Sequence, residues 1–195
     1  MTGSIFFSEN DIALYECCVS SEHTSRQLLL RAAEHYAGLR GIETVDFSIK
    51  TGVYGKPFFP FMPGVHFSIS HSGKYWACAF HGRPVGFDVQ EHRECDFLSI
   101  ARRFFHPDEY VKVERCCKGG SRSNEAEKVF FDIWSAKESY IKYTSRGLSQ
   151  PMGEFSALNG FSGGGPRLIS LSFGPHYSAF VCALLPQSIY RFRHF

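Results

Sequence analysis

Glu138 and Lys142 lie four residues apart in the stretch WSAKESYIK, residues 134–142. On a helix that spacing sets both on one face, and Lys137 stands about 100° round from Glu138, on its flank. A carboxylate with two ammonium groups beside it suits a site that handles a metal ion and phosphates. Upstream, Phe87 and Val89 alternate with Asp88 and Gln90. In a strand this puts a carboxylate and an amide oxygen side by side, opposite the apolar residues. The turn Ser70-His71-Ser72-Gly73-Lys74 offers a hydroxyl, an imidazole, an ammonium and free backbone N–H groups, all suited to phosphate oxygens. Mg²⁺ is usually held by one or two carboxylates together with phosphate oxygens and water. Asp88 and Glu138 are the hard oxygen ligands for it, with Gln90 as a neutral third. Together these are parts for chemistry on a diphosphate.

Each piece also has an ordinary reading. A Glu with a Lys four residues on is a common surface pair worth roughly 0.2–0.5 kcal/mol. His71 suits an exposed turn, and Asp88 could cap one. His71 beside Ser70 and Ser72 raises the thought of a hydrolase nucleophile, but the chain has no GxSxG elbow and sequence adjacency is not a triad. The ordinary readings weaken because the three pieces occur together.

The chain of 195 residues has room for one large domain or two small lobes. With 44% hydrophobic and 21% charged residues it is an ordinary globular sequence, and its 20 Phe imply a bulky aromatic core. A net charge of +2 argues against a bulk polyanion binder, so no nucleic-acid partner is expected. The seven cysteines are odd in number, include two adjacent pairs and form no CxxC, which points to reduced thiols rather than a disulfide framework or a zinc knuckle. The first basic residue is Arg26, so the basic region of a signal peptide is missing. No apolar run approaches the ~18 residues of a membrane span. A cytoplasmic location without a membrane partner is the expectation.

The elements that must position these groups are legible in outline. Short elements are expected at Ile5-Phe6-Phe7 and over 11–18. A helix capped by Ser25 runs over 26–36 and ends near Gly38 and Gly41, and a strand is expected over 47–50. Residues 52–64 form a Gly/Pro-rich loop containing Tyr54-Gly55-Lys56-Pro57. Three strands follow, over 65–70, 75–80 and 85–90. Residues 97–116 are helical, with a break at His106-Pro107-Asp108, and 117–124 is a polar linker. Asn124 and Glu127 form a capping signal for the long helix that carries Glu138 and ends at Gly147. Val129, Phe130, Ile133, Trp134, Tyr140 and Ile141 make its apolar stripe. After residues 155–161 and a glycine turn, 168–173 and 177–185 form a hairpin. Helix followed by hairpin thus occurs twice.

The ordered segments YGKP (54–57), FSISHSG (67–73), GFDVQ (86–90), IARRFF (100–105), WSAKESYIK (134–142) and RGL (146–148) resemble the Sfp-type 4'-phosphopantetheinyl transferases. The likeness in order and spacing runs from about residue 26 to 148. It implies an α+β fold of two similar lobes in one chain, 1–90 and 91–195, with the active site in the cleft between them. It implies transfer of the 4'-phosphopantetheine arm of coenzyme A to a serine of an apo acyl or peptidyl carrier protein, releasing 3',5'-ADP, by a monomer that depends on Mg²⁺. Carried over, Asp88, Gln90 and Glu138 match the metal ligands. Glu138 matches a base for the carrier serine, and Lys142 the group that neutralises or protonates the leaving phosphate. Lys56, Ser70, His71, Lys74 and Lys137 match coenzyme A contacts, and Arg26 a contact to the 3'-phosphate. Gln90 departs from the acidic residue common in the family, which implies weaker Mg²⁺ binding. Arg102, Arg103, Lys112, Lys118 and Arg122 form a basic face that either meets an acidic carrier or is merely solvated. The rival reading is a coenzyme A-binding protein of the same fold without catalysis.

Overall fold

The computed structural model describes residues 7–19, 22–43, 46–117, 123–158, 160–161 and 164–195. Strand β1 (Ile12–Cys18) lies between β5 (Tyr75–His81), to which it is antiparallel, and β9 (Ile189–Phe192), to which it is parallel. β4 (His66–Ser72) completes this sheet in the order β4-β5-β1-β9. The β4–β5 hairpin turns at Gly73, whose φ of 53° is a left-handed conformation that glycine adopts without steric cost. A second sheet has the order β6-β8-β7, from β6 (Val85–Glu91), β8 (Tyr177–Ala183) and β7 (Arg167–Leu171). Between β1 and β4 lie a helix, α1 (Ser25–Arg40), and a two-residue ladder of β2 (Lys50–Thr51) with β3 (Pro57–Phe58).

The two sheets pack face to face on apolar residues. Ile12, Leu14, Ala77 and Ala79 of the first meet Val85, Phe87, Val89, Ala179, Val181 and Ala183 of the second. The opposite face of the first sheet carries Tyr15, Trp76 and Phe80, which pack on Leu29, Ala33 and Tyr36 of α1. A third core gathers α2 (Phe97–Phe104), α3 (Pro107–Cys116) and α4 (Asn124–Thr144) around Phe97, Phe105, Val113, Phe130 and Ile133. The architecture is mixed α+β.

Several boundaries differ from the sequence expectations, each for a local reason. α1 is capped by Thr24, whose hydroxyl accepts the Gln27 N–H in a capping box, while the Ser25 hydroxyl accepts the Trp76 indole N–H at 2.9 Å. α4 is capped by Ser123, not Asn124, because the serine hydroxyl accepts the Ala126 N–H and donates to Cys116 O. α4 ends at Thr144 rather than Gly147, with Ser145 in the left-handed conformation and Gly147 starting a short 3₁₀ turn. Pro107 opens α3, as the break at residues 106–108 predicts. Between 47 and 51 only Lys50 and Thr51 are paired, and β9 has no counterpart in the sequence reading. β6 pairs with β8 and β9 with β1, so two strands cross a division drawn at residue 90. Ile5 and Phe6, and residues 118–122 of the expected linker, lie outside the described residues. Among the described residues no helix is long and apolar enough to cross a membrane.

Candidate functional site

β6 is the strand on which the site is built. Its Gly86 lies against α4 so closely that a Cβ there would stand 1.8 Å from Ser139 O and 2.4 Å from Tyr143 N. Ser135 and Ser139, one turn apart on α4, supply the small side chains this approach needs, and the Ser135 hydroxyl donates to Asp88 O at 3.0 Å. Glu138 and Lys142 are carried on the same part of the helix, next to Asp88.

On its other flank β6 meets β4 through serine hydroxyls instead of a backbone ladder. Ser68, Ser70 and Ser72 accept the N–H groups of Phe87, Val89 and Glu91 at 2.9, 3.2 and 2.9 Å. The sequence signal was available: serine at every second position of β4 marks a face that can bond another strand. Alternation alone read that face as the polar side of a half-buried strand.

Asp88 is 2% exposed and fully engaged. Its Oδ1 accepts from the Ser70 hydroxyl and the Lys142 ammonium, both at 2.8 Å, and its Oδ2 accepts from the Gln90 amide at 3.0 Å. Lys142 Nζ also donates to Ile69 O at 3.3 Å, joining α4 to both β4 and β6. Glu138 accepts no hydrogen bond among the described residues. Burial pushes its carboxyl pKa up, the nearby Asp88 charge adds to the rise, and Lys142 opposes it. Two carboxylates that repel across a short gap, with an amide oxygen next to them, are a donor set that fits Mg²⁺. Among the described residues no group of three or more His, Cys, Asp and Glu gathers; Mg²⁺ sites commonly use one or two carboxylates completed by phosphate oxygens and water.

Two cavities share Ile69, Trp134, Glu138 and Lys142 as a common wall. The smaller, of about 520 Å³, is lined by Ser70, His71, Asp88, Gln90 and Arg93 among others. The larger, of about 800 Å³, runs past Tyr54, Lys56, Phe67, Arg103, Phe104 and Met152. Arg93 and Trp134 were not singled out from sequence. Arg93 follows Gln90 by three residues and is a lone basic side chain without a motif of its own, and Trp134 read only as part of an apolar stripe.

The structure thus brings Asp88, Gln90, Glu138, Lys142, Ser70 and His71 together. Lys74 follows on the same turn, exposed, with its ammonium 5.3 Å from the Tyr75 ring centroid. Arg26 is exposed at the start of α1, beside the Ser25–Trp76 bond, and Trp76 is the register partner of His71. Lys56 lines the larger cavity but spends its ammonium on Val85 O at 2.8 Å and Lys142 O at 2.7 Å, and burial brings its pKa down to about 8. Lys137 is turned away from the cavities. It is wholly buried, pairs with Glu109 at 2.6 Å, donates to Phe155 O and sits 4.2 Å from the Phe155 ring centroid. A helical wheel puts Lys137 on the flank of Glu138, but α3 lies against that flank and supplies a buried carboxylate for it.

A sequence model of the 4'-phosphopantetheinyl transferase superfamily matches residues 84–184. The chain belongs to this superfamily. It is 36% identical over 129 residues to a 4'-phosphopantetheinyl transferase of Bacillus subtilis, an overlap covering 66% of this chain and 54% of the relative. It is 39% identical over 115 residues to 4'-phosphopantetheinyl transferase Sfp of B. subtilis strain 168, covering 59% and 49%. Against 4'-phosphopantetheinyl transferase gsp of Aneurinibacillus migulanus the identity is 34% over 129 residues, covering 66% and 50%. The chain spans about half the length of these curated relatives. β6, α2, α3, α4, β7 and β8 fall inside the superfamily match, and with them Asp88, Gln90, Glu138 and Lys142.

Proposed function

We propose that this 4'-phosphopantetheinyl transferase superfamily member moves the phosphopantetheine arm of coenzyme A to a serine hydroxyl of an apo acyl or peptidyl carrier protein and releases 3',5'-ADP. The observation that carries the reading is the Asp88–Lys142 pair with the Glu138 carboxylate beside it, on the wall shared by the two cavities. Asp88, Glu138 and the amide oxygen of Gln90 would hold Mg²⁺, which would supply positive charge to offset that of the diphosphate. Everything else is positioning and charge, as phosphoryl transfer requires. Glu138 takes the proton of the carrier serine as its oxygen attacks the phosphorus. The phosphorus–oxygen bond to 3',5'-ADP breaks, and Lys142 meets the charge that develops on the leaving phosphate. His71, Lys74 and the backbone of their turn hold phosphate oxygens, with the Ser70 hydroxyl beside them, and Arg26 approaches from α1.

In this reading the chain is a monomer of two similar lobes, with helix then hairpin in each (α1 with β4–β5, α4 with β7–β8), and the site lies between β4 and the β6–α4 pair. β6 and β9 are then exchanged between the lobes, which fastens them together. Lys56 serves the coenzyme A site from behind, by tying the 54–57 loop to β6 and α4. Lys137 supports α4 from its buried side.

The test is the intact mass of a panel of apo carrier proteins after incubation with the enzyme, coenzyme A and Mg²⁺. One phosphopantetheine should be gained, and the gain should vanish with EDTA and with Glu138→Ala. If coenzyme A binds but no carrier gains mass, the chain is a coenzyme A-binding protein of this fold and the transferase reading falls.

A further inference from the structure

The turn at residues 71–74 is held from behind by two residues of the second sheet. Glu91 ends β6 and Tyr177 begins β8, and they are register partners. The Tyr177 hydroxyl donates to Glu91 Oε1 at 2.7 Å and accepts the backbone N–H of Lys74 at 3.3 Å. The Glu91 N–H donates to the Ser72 hydroxyl at 2.9 Å. A Cβ on Gly73 would stand 2.4 Å from the Tyr177 oxygen and 2.5 Å from Glu91 Oε1, so the pair fills the space directly behind the turn. The Tyr177 ring packs edge-on against Tyr75, the first residue of β5, at 4.9 Å. Neither residue lines the two cavities that share Glu138.

We infer that Glu91 and Tyr177 are positioning residues for the coenzyme A site: a strut that fixes the 71–74 turn so that His71, Lys74 and the turn backbone meet phosphate oxygens without first being ordered. The inference rests on the reading that this turn binds coenzyme A. The strut comes from the opposite sheet to the turn it supports, so it also fixes His71 relative to Asp88, three residues before Glu91 on the seam-bonded β6. A turn fixed in advance leaves less conformational freedom to be lost when the ligand binds. Losing the strut should therefore weaken binding of coenzyme A and spare the chemical step.

Tyr177→Phe removes the hydroxyl and keeps the ring on Tyr75. It should raise the Kd of coenzyme A, read by calorimetry, and its KM about three- to tenfold, the usual worth of one hydrogen bond. The kcat, the carrier KM and the melting temperature should stay near wild type. Glu91→Ala should act alike, whereas Glu91→Gln, whose amide oxygen still accepts from Tyr177, should restore near-wild-type affinity. His71→Ala and Lys74→Ala serve as references and should both weaken coenzyme A binding. If the references weaken it but Tyr177→Phe and Glu91→Ala do not, the turn binds coenzyme A without the strut and the inference is overturned while the proposed function stands. A fall in melting temperature with kcat and both KM values moving together makes the pair a fold contact only, and also overturns it. If the references themselves leave the Kd unmoved, coenzyme A does not use this turn, and that part of the proposed function fails together with the inference.

Discussion

Lys56 and Lys137 are two lysines whose ammonium groups left water for different partners. Lys137 found a carboxylate and is wholly buried with it. Lys56 found two carbonyl oxygens, Val85 O and Lys142 O, and burial draws its pKa down to about 8. In the unfolded chain the same group titrates near 10.4. Between about pH 8 and about pH 10.4 the unfolded chain therefore binds more protons at this site than the folded one, and Lys56 makes stability rise with pH across that window. Below it the buried ammonium weighs against folding. The neutral amine still has two N–H groups for its two carbonyl partners, so deprotonation keeps both bonds. Lys56→Met should remove this slope: the stability of wild type minus that of the variant, from urea denaturation, should increase from pH 8 to about pH 10.4. A flat difference would mean that Lys56 titrates as it does in water.

At the scale of elements, the contact between β6 and α4 sets the distance between Asp88 and the Glu138–Lys142 pair. Gly86 permits that contact, since any Cβ would overlap Ser139 O at 1.8 Å. Gly86→Ala must push α4 outward along the stretch that carries Glu138. Overpacking of this kind costs about 3 kcal/mol, and a displacement near 1 Å at a reacting group costs about a hundredfold in rate. Urea denaturation and turnover measured at a temperature where the variant is still folded should separate the two effects. A loss of stability with unchanged turnover would show that α4 and β6 do not set the site's geometry. The helix was readable from its period and caps, as were the Pro107 break and the β4–β5 and β7–β8 hairpins. Its burial was not. One apolar stripe predicts one buried face, yet α4 is sandwiched between the second sheet and α2–α3, which buries Ser135, Lys137 and Ser139 as well as Phe130 and Ile141.

For the whole molecule, the joint between the sheets has two parts: an apolar layer and the hydroxyl seam from β4 to β6. Ser68 is 4% exposed and accepts the Phe87 N–H. Ser68→Ala leaves that N–H buried and unpaired, at a cost of about 2 kcal/mol. Because both sheets share the apolar layer, unfolding should remain one cooperative transition, seen as coincident fluorescence and circular-dichroism curves in urea. Two separated transitions would mean that the seam, rather than the apolar layer, couples the sheets.

The sequence by itself determined the local chemistry. Period and capping placed Glu138 and Lys142 on one helix, alternation placed Asp88 and Gln90 on one side of a strand, and Gly73 marked the turn that carries His71 and Lys74. Those are consequences of backbone geometry over a few residues, and the ordered motifs carried the family with them. Only the tertiary structure decided which flank of α4 would face the cavities and which would face α3, so that Lys142 lies on Asp88 while Lys137 lies on Glu109. It also decided that β6 leaves the hairpin before it to pair with β8, and that β9 returns to β1. These choices come from contacts between residues tens of positions apart, where burial of the whole chain, and not the preference of any segment, selects the partner.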